Sequence, residues 1–318
     1  MNEISTTMGP GPELSPNPGL PAHIGDTPLL RLGRIAGLPT GVELHGKAEY
    51  LNPSGSLKDR SAWAMIRAAA AGGALRGGRC LLDATSGNAG IAYAMIGAAM
   101  GCRVTLCLPG NATPERKRML RIYGATIIET DPAQGSDGAQ RRARELYRAD
   151  PDQYCYLDQY NNDANWRAHF ETTAPEIWAQ TGGRVSHFVA GVGTSGLFMG
   201  TARRLKQLNP SLQAIAVQPD GPGHGLAGLK HMKTAIVPGI YDPRVADAQV
   251  EVSTADGQAM ARRLALEEGL LVGPSSGASV AAALRLARTL PQGAVVVTVL
   301  FDSGSRYLAD PFWEASSR

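Results

Sequence analysis

Short runs rich in apolar residues recur along the chain and alternate with stretches of helical period. The runs Glu43–Tyr50, Cys80–Ala84, Arg103–Leu108, Ala125–Glu129, Tyr154–Leu157, Ser186–Ala190, Leu212–Gln218 and Ala294–Leu300 predict strands. Many of them are apolar throughout, the pattern of parallel strands covered on both faces.

The stretches between them predict helices. Lys58–Ala71 carries Ala62, Met65, Ile66 and Ala69 on one face. Thr113–Tyr123 has a start and a stop: Thr113 as N-cap, Pro114 and Glu115 in the first turn, Gly124 after the end. Further helices are predicted over 89–100, 136–148, 163–180, 195–207, 254–268 and 276–289. The alternation predicts a doubly wound α/β architecture. A chain of 318 residues with this many strands divides into two lobes, and the polar run Asn161–Asn165 is a natural crossing.

Composition narrows the class. Lys and Arg total 31 against 28 Asp and Glu, a net charge of +3, which points to neither nucleic acid nor a membrane surface. No apolar run reaches the 18 or so residues of a membrane span. Residues 1–23 begin with a Pro/Gly/Ser-rich stretch that lacks the basic and apolar regions of a secretory signal. They read as a disordered tail on a cytoplasmic protein. Cys80, Cys102, Cys107 and Cys155 form no CxxC pair, and the six histidines show no metal spacing, so reduced, buried thiols and no metal are expected. Glycine is in excess, 38 residues without a Gly-X-Y period. That excess implies turns, or backbone that approaches a ligand closely.

Three glycine-rich turns follow predicted strands and open predicted helices, the arrangement that presents free N–H groups and a positive helix end to an anion. Gly191-Val-Gly193-Thr-Ser-Gly196 matches GxGxxG and is open to three readings: a phosphate loop, a dinucleotide site or a plain tight turn. Gly273-Pro-Ser275-Ser-Gly277 matches the GxSxG nucleophile elbow. A hydrolase of that kind needs a later histidine, and the last one here is His231. Thr85-Ser86-Gly87-Asn88-Ala89-Gly90 offers hydroxyls, an amide and bare N–H groups suited to a carboxylate, or equally a capped helix start. A fourth feature, Asn52-Pro-Ser-Gly55-Ser-Leu-Lys58-Asp-Arg60, puts a lysine at a helix N-terminus. Such a lysine ordinarily reads as a solvated basic residue, but the positive helix end disfavours the ammonium there and would favour a neutral, nucleophilic amine.

The set NPSGSLKDR, TSGNAG, DQYNNDANWRAH, GVGTSG and GPSSGAS, in that order, resembles the cysteine synthase and cystathionine β-synthase family, fold type II pyridoxal-phosphate enzymes. The likeness runs from Gly25-Asp-Thr-Pro-Leu29 to about Tyr307 and leaves no C-terminal regulatory domain. It implies two doubly wound α/β domains with the cofactor in the cleft, as in the tryptophan synthase β-subunit. A smaller, mobile, substrate-gripping domain would span 52–162, and a larger cofactor-phosphate domain 24–51 and 163–318. A homodimer is also implied.

By position, the resemblance assigns Lys58 to covalent attachment of pyridoxal 5'-phosphate and to general-base work, with Ser86 as the second catalytic candidate. Asn88 would bond the ring hydroxyl, and Ser275 would face the pyridine nitrogen. Gly193, Thr194, Ser195, Gly196 and Leu197 would hold the phosphate. Thr85, Ser86, Gly87, Ala89 and Gln159 would grip the amino-acid carboxylate. Lys230 falls where phosphoserine-using relatives carry a basic residue, and reads otherwise as a surface lysine. A neutral serine at the ring nitrogen weakens the electron sink and favours β-elimination over chemistry that needs a long-lived carbanion.

The implied reaction is β-replacement on an activated serine (O-acetylserine or O-phosphoserine) by sulfide or a thiol, through an enzyme-bound aminoacrylate, giving L-cysteine or an analogue. A serine or cysteine β-eliminase and a cofactor-binding protein with weakened catalysis are the alternatives. A nicotinamide dehydrogenase would leave Lys58 and TSGNAG without a role. The chain departs from the family pattern where Ala89 and Leu197 stand in place of threonines and where Phe301 replaces a proline. Each missing hydroxyl removes a donor worth about 1.5–3 kcal/mol to a charged group, which signals either a changed substrate or a weaker enzyme.

Overall fold

A computed structural model describes residues 19–85 and 87–314 and divides them into two compact units. One holds residues 19–24 and Ala62–Gln159, the other Gly25–Ser61 and 160–314. The larger unit begins with β1 (Leu29–Arg31) and β2 (Glu43–Ala48). Helix α1 (Lys58–Ala71) follows, its first four residues counted with that unit. The smaller unit continues with β3 (Cys80–Ala84), α2 (Asn88–Met100), β4 (Val104–Pro109), α3 (Pro114–Ile122), β5 (Thr126–Thr130), α4 (Gly135–Ala149) and β6 (Tyr154–Tyr156). The chain then completes the larger unit with α5 (Asp163–Ala168), α6 (Ala174–Gln180), β7 (His187–Gly191), α7 (Gly196–Leu208) and β8 (Gln213–Pro219). It closes with β9 (Ala248–Val252), α8 (Thr254–Glu268), α9 (Pro274–Ala287) and β10 (Val295–Leu300).

The smaller unit is built on a parallel sheet of order β5-β4-β3-β6. Its two inner strands, β3 and β4, are buried at every position, in keeping with their mostly apolar runs. Helix α3 starts as expected: Pro114 stands at its first position and Thr113 Oγ1 accepts the Arg116 N–H, a cap worth about 1 kcal/mol. Cys80, Cys107 and Cys155 are buried free thiols and Cys102 is half-buried. Burial pushes the Cys107 thiol up to about 12, so it packs as an inert apolar group.

The larger unit has a six-stranded sheet of order β1-β2-β10-β7-β8-β9, parallel except for β1 against β2. Its central strand β10 is buried throughout. Apolar clusters form around it, one with Val296, Leu300, Val189 and Val217, the other with Val297, Val299, Phe188 and Phe198. Among the described residues no helix is long and apolar enough to cross a membrane.

Three expectations are corrected. The single helix over 163–180 is α5 and α6 joined by a π-helical stretch, His169–Thr173. Strands β1 and β9 were not anticipated, the first because it has three residues, the second because its pattern is mostly exposed. Of the expected tail, 1–18 lie outside the described residues, and Leu20–His23 form a 3₁₀ turn. The two compact units divide at Ala62 and Gln159. Residues 52–61 stay with the larger unit because they are tied to it: Leu57 N–H donates to Phe301 O at 2.9 Å, Ser303 N–H to Gly55 O at 3.2 Å, and Ser56 bridges Asp302.

A buried ionic cluster in the larger unit fixes the same stretch. Arg60 forks onto Glu49 at 2.8 Å and onto Glu176 at 2.6 and 2.7 Å, and Lys47 pairs with Glu176 at 2.6 Å. Asn52 joins it by donating to Glu49 and accepting from Gly25 N–H. Burial alone would raise the Glu49 carboxyl, but the guanidinium of Arg60 outweighs it and holds that carboxyl below its ordinary value.

Candidate active site

In the larger unit, the loop 52–57 delivers Lys58 as the first residue of α1. Ser54 N–H donates to Asp59 at 2.6 Å, and Gly55 takes φ +86°, which only glycine adopts without strain. The Lys58 amine lies 3.5 Å from Thr194 Oγ1. Burial pushes it down to about 8, against the opposing charge of Asp302. A substantial neutral fraction near neutral pH is what a nucleophilic or proton-accepting lysine needs.

Thr194 sits in the turn from β7 to α7. A Cβ on Gly193 would run into the backbone oxygen of Gly228, and one on Gly196 into the Asn165 side chain. Ser195 holds φ +69°, rare for a residue with a side chain and typical of functional turns. The N–H groups of Thr194, Ser195, Gly196 and Leu197 donate to no protein acceptor among the described residues. Four bare amides at the first turn of a 13-residue helix are an arrangement that favours an anion.

The second helix start is α9. Ser275 is buried at 3% exposure, and its hydroxyl bonds no described residue, leaving it for a ligand atom that can share one proton. The apposed chain supplies Asp302, which accepts from Tyr307 at 2.6 Å. The GxSxG match is thus a small-residue helix start, with Gly277 fitted against the Gly257 backbone.

Lys230 is not a surface lysine. It is 7% exposed, its N–H donates to Val192 O at 2.9 Å beside the phosphate turn, and its ammonium lies over the Tyr160 ring at 5.0 Å.

The remaining sequence-predicted residues belong to the smaller unit. Thr85 Oγ1 accepts from Gly87 N–H and Gly90 N–H, each at 3.0 Å, so this hydroxyl shapes the turn. Asn88 begins α2, and Ala89 is buried beside it. Gln159 donates its side-chain amide to Ala84 O at 2.6 Å and its backbone N–H to Asp83 at 3.2 Å. The unit therefore gathers Thr85, Gly87, Asn88, Ala89 and Gln159 at the end of β3. Ser86 lies outside the described residues.

Sequence reading missed two groups there. Asp83, a carboxylate in an otherwise apolar strand, accepts from Tyr93, Gln159 and Ala84, and burial pushes it up to about 7. The Arg116 guanidinium carbon would lie 3.5 Å from a Cβ on Gly87. Its signal was available: a second arginine-rich helix start, Pro114-Glu-Arg-Lys-Arg, right after β4.

A buried lysine whose pKa burial lowers to about 8, beside four bare amides at a helix start, suits a cofactor that carries both an aldehyde and an anionic group. The model of the family described as pyridoxal-phosphate dependent enzymes matches residues 20–302.

The chain belongs to that family.

It is 48% identical over 290 residues to a cysteine synthase of Aquifex aeolicus, covering 90% of this chain and 89% of that one. Its fold is similar to that of a cysteine synthase from Entamoeba histolytica, with a TM-score of 0.89 at 32% identity, covering 94% and 91% of the two chains. It is also similar to an O-acetylserine dependent cystathionine beta-synthase from Helicobacter pylori, with a TM-score of 0.87 at 32% identity, covering 92% and 98%. The residues present fit the family cofactor: bare amides for its phosphate, an unengaged Ser275 hydroxyl for its ring nitrogen, and the Lys58 amine for its aldehyde. Among the described residues no group of three or more His, Cys, Asp or Glu side chains could hold a metal ion.

Proposed function

We propose that this enzyme replaces the β-substituent of an activated serine, O-acetylserine or O-phosphoserine, with sulfide or a thiol, giving L-cysteine or an analogue. The observation that carries the reading is the Lys58 amine, pushed down to about 8 and 3.5 Å from Thr194 in the amide-lined turn. The similarity to cysteine synthases over nine-tenths of the chain supports it. When bound, pyridoxal phosphate supplies an electron sink that makes the α-proton of an amino acid acidic.

The protein side of the reaction then follows from its residues. The N–H groups of 194–197 and the Thr194 hydroxyl anchor the phosphate. Ser275 shares a single proton with the ring nitrogen, so no full positive charge is fixed there. With the cofactor bound, the Lys58 amine would be the group that takes the α-proton and later returns it, a task suited to a pKa close to ambient pH. In the smaller unit, Thr85, Gly87, Ala89 and Gln159 are the groups that would bind a substrate carboxylate, and Asn88 is the side-chain amide that would serve a ring hydroxyl. Lys230 places a positive charge where an anionic leaving group departs. A homodimeric, cytoplasmic enzyme acting on small molecules completes the reading.

The test is product analysis with O-acetylserine and O-phosphoserine, with and without sulfide. Cysteine formed only when sulfide is present supports replacement. Pyruvate released at a rate that added thiol does not change would make the protein a β-eliminase instead.

A further inference from the structure

We propose that Asn165 is a positioning residue for the cofactor phosphate, acting by keeping the Thr194 hydroxyl a donor. The inference rests on the phosphate reading of the turn 193–197 and adds a residue outside that turn.

Asn165 stands in α5, and its side chain is 1% exposed. The helix is fixed locally: Asn162 caps it by accepting the Ala164 N–H at 3.0 Å, and Asn165 N–H donates to Asn162 O at 3.0 Å. It is also pressed against α7. A Cβ on Gly200 would run into Trp166 O and stand 2.8 Å from Phe170 N, so glycine is what lets the two backbones meet. One turn earlier on α7, Gly196 leaves its side-chain space to the Asn165 amide. Two glycines four residues apart thus bring Asn165 to the first turn of α7.

At that place the Asn165 amide faces both Gly196 and Thr194. Its oxygen lies toward Gly196, at the positive end of α7, where a carbonyl dipole is favoured. Its nitrogen faces Thr194 and donates to Oγ1 at 3.2 Å. Thr194 Oγ1 also receives the Lys58 amine at 3.5 Å.

A hydroxyl has one hydrogen and two lone pairs. With both neighbours donating, the Thr194 hydrogen turns away from them, and it finds no protein acceptor among the described residues. It is available to an anion, as are the adjacent amides. Once Lys58 is engaged by the cofactor aldehyde, Asn165 is the donor that still enforces this direction. The role is therefore to hold a proton at Thr194 Oγ1, ready for a phosphate oxygen.

This differs from a packing role in the ordering of variants. For packing, the isosteric Asn165→Asp is milder than Asn165→Ala. For proton direction it is worse, because a carboxylate accepts the Thr194 hydrogen and repels the phosphate. The test uses the full-length chain stripped of cofactor and titrated with pyridoxal phosphate and with pyridoxal, which lacks the phosphate. Asn165→Ala is expected to weaken pyridoxal phosphate about tenfold, the loss of one hydrogen bond to a charged group, and Asn165→Asp by a further factor of about ten. Pyridoxal binding should stay within about twofold for both. That unchanged binding also reports that each variant is folded. If Asn165→Ala does not fold, the isosteric Asp variant carries the test by its selective loss of pyridoxal phosphate.

Equal losses for the two ligands, or an Asp variant milder than Ala, would overturn the inference. Thr194→Val separates the levels. If it weakens pyridoxal phosphate while both Asn165 variants bind normally, only the role of Asn165 fails. If Thr194→Val binds normally as well, the phosphate reading of the turn fails with it.

Discussion

The Tyr93 hydroxyl donates to Asp83 Oδ2 at 2.7 Å, in the interior of the smaller unit and one residue before the end of β3. The same carboxylate oxygen accepts the backbone N–H of Gln159, so a buried acid fixes the backbone of a proposed substrate-gripping residue. Burial pushes Asp83 up to about 7, and its hydrogen bonds recover only part of the cost. The folded protein therefore binds a proton that the unfolded chain, titrating near 3.8, has already released. Between those two values stability falls as pH rises. Asn in place of Asp83 cannot ionise, so the wild type should lose stability relative to Asp83→Asn from about pH 4 to about pH 7. Urea unfolding of both proteins across that range checks it, and parallel curves would count against a raised Asp83.

Lys58 makes a second pH-dependent expectation. Its amine is held near 8 by burial, with Asp302 pulling the other way. Covalent attachment of pyridoxal phosphate needs the neutral amine, so the attachment rate should level off above about pH 8. An ordinary lysine would keep gaining up to about 10.4. Removing the opposing charge with Asp302→Asn should move the midpoint lower. Lys58→Ala should bind cofactor without the visible band of the attached form. Stopped-flow absorbance measures each.

These two acids and bases show which features the chain announces. The strands Cys80–Ala84 and Ala294–Leu300 were legible because burial on both faces leaves a run that is apolar but for one residue, Asp83 in the first and Thr298 in the second. The proposed phosphate turn was legible because close backbone approach demands glycine at fixed offsets. Asp83 and Asn165 were not, since a buried polar side chain has no period and its partners, Gln159 and Thr194, lie far along the chain. For Lys230 the surface-lysine alternative stayed open because exposure is decided by the tertiary path, which here covers it with Tyr160. The π-helical turn at His169–Thr173 was invisible because one extra residue in a helix barely disturbs its apolar stripe.

Ala89 offers a gain-of-function test. The resemblance puts a threonine there, and the methyl of Ala89 is buried at the start of α2. Ala89→Thr restores one hydroxyl to the turn proposed to bind the carboxylate. A single bond to a charged group is worth about 1.5–3 kcal/mol, so KM for O-acetylserine should fall by about tenfold with kcat little changed. An unchanged KM would mean that the turn binds through backbone amides alone.

The Arg60 cluster predicts non-additive stability. Arg60→Met leaves Glu49 and Glu176 buried with too few partners, and breaking such a pair costs about 3–5 kcal/mol. Replacing Glu49 by Leu in the same chain removes the stranded charge and should recover much of that loss. Glu49 also titrates below its ordinary value when folded. Its contribution is present above about pH 4.5 and disappears as the pH falls through the lowered value. Chemical denaturation of the single and double variants at pH 7 and in acid distinguishes these terms. A double variant whose loss equals the sum of the Arg60→Met and Glu49→Leu losses would show that the charges are independent.

Gly193 should be the least replaceable glycine of the proposed phosphate turn. A Cβ there meets Gly228 O, a backbone atom, and Gly228 itself holds φ +91°, so neither side yields by rotating a side chain. Gly193→Ala must displace the turn whose amides are proposed to hold the phosphate, at a cost of about 1–3 kcal/mol in overpacking alone. Gly101 is the matched control: its φ is +68° but a Cβ there meets nothing within 4 Å. Gly101→Ala should lower Tm by the roughly 1 kcal/mol of a left-handed alanine and leave the cofactor in place. Gly193→Ala should lose cofactor on dialysis, read as visible absorbance per chain. Retention equal to that of Gly101→Ala would place the phosphate elsewhere.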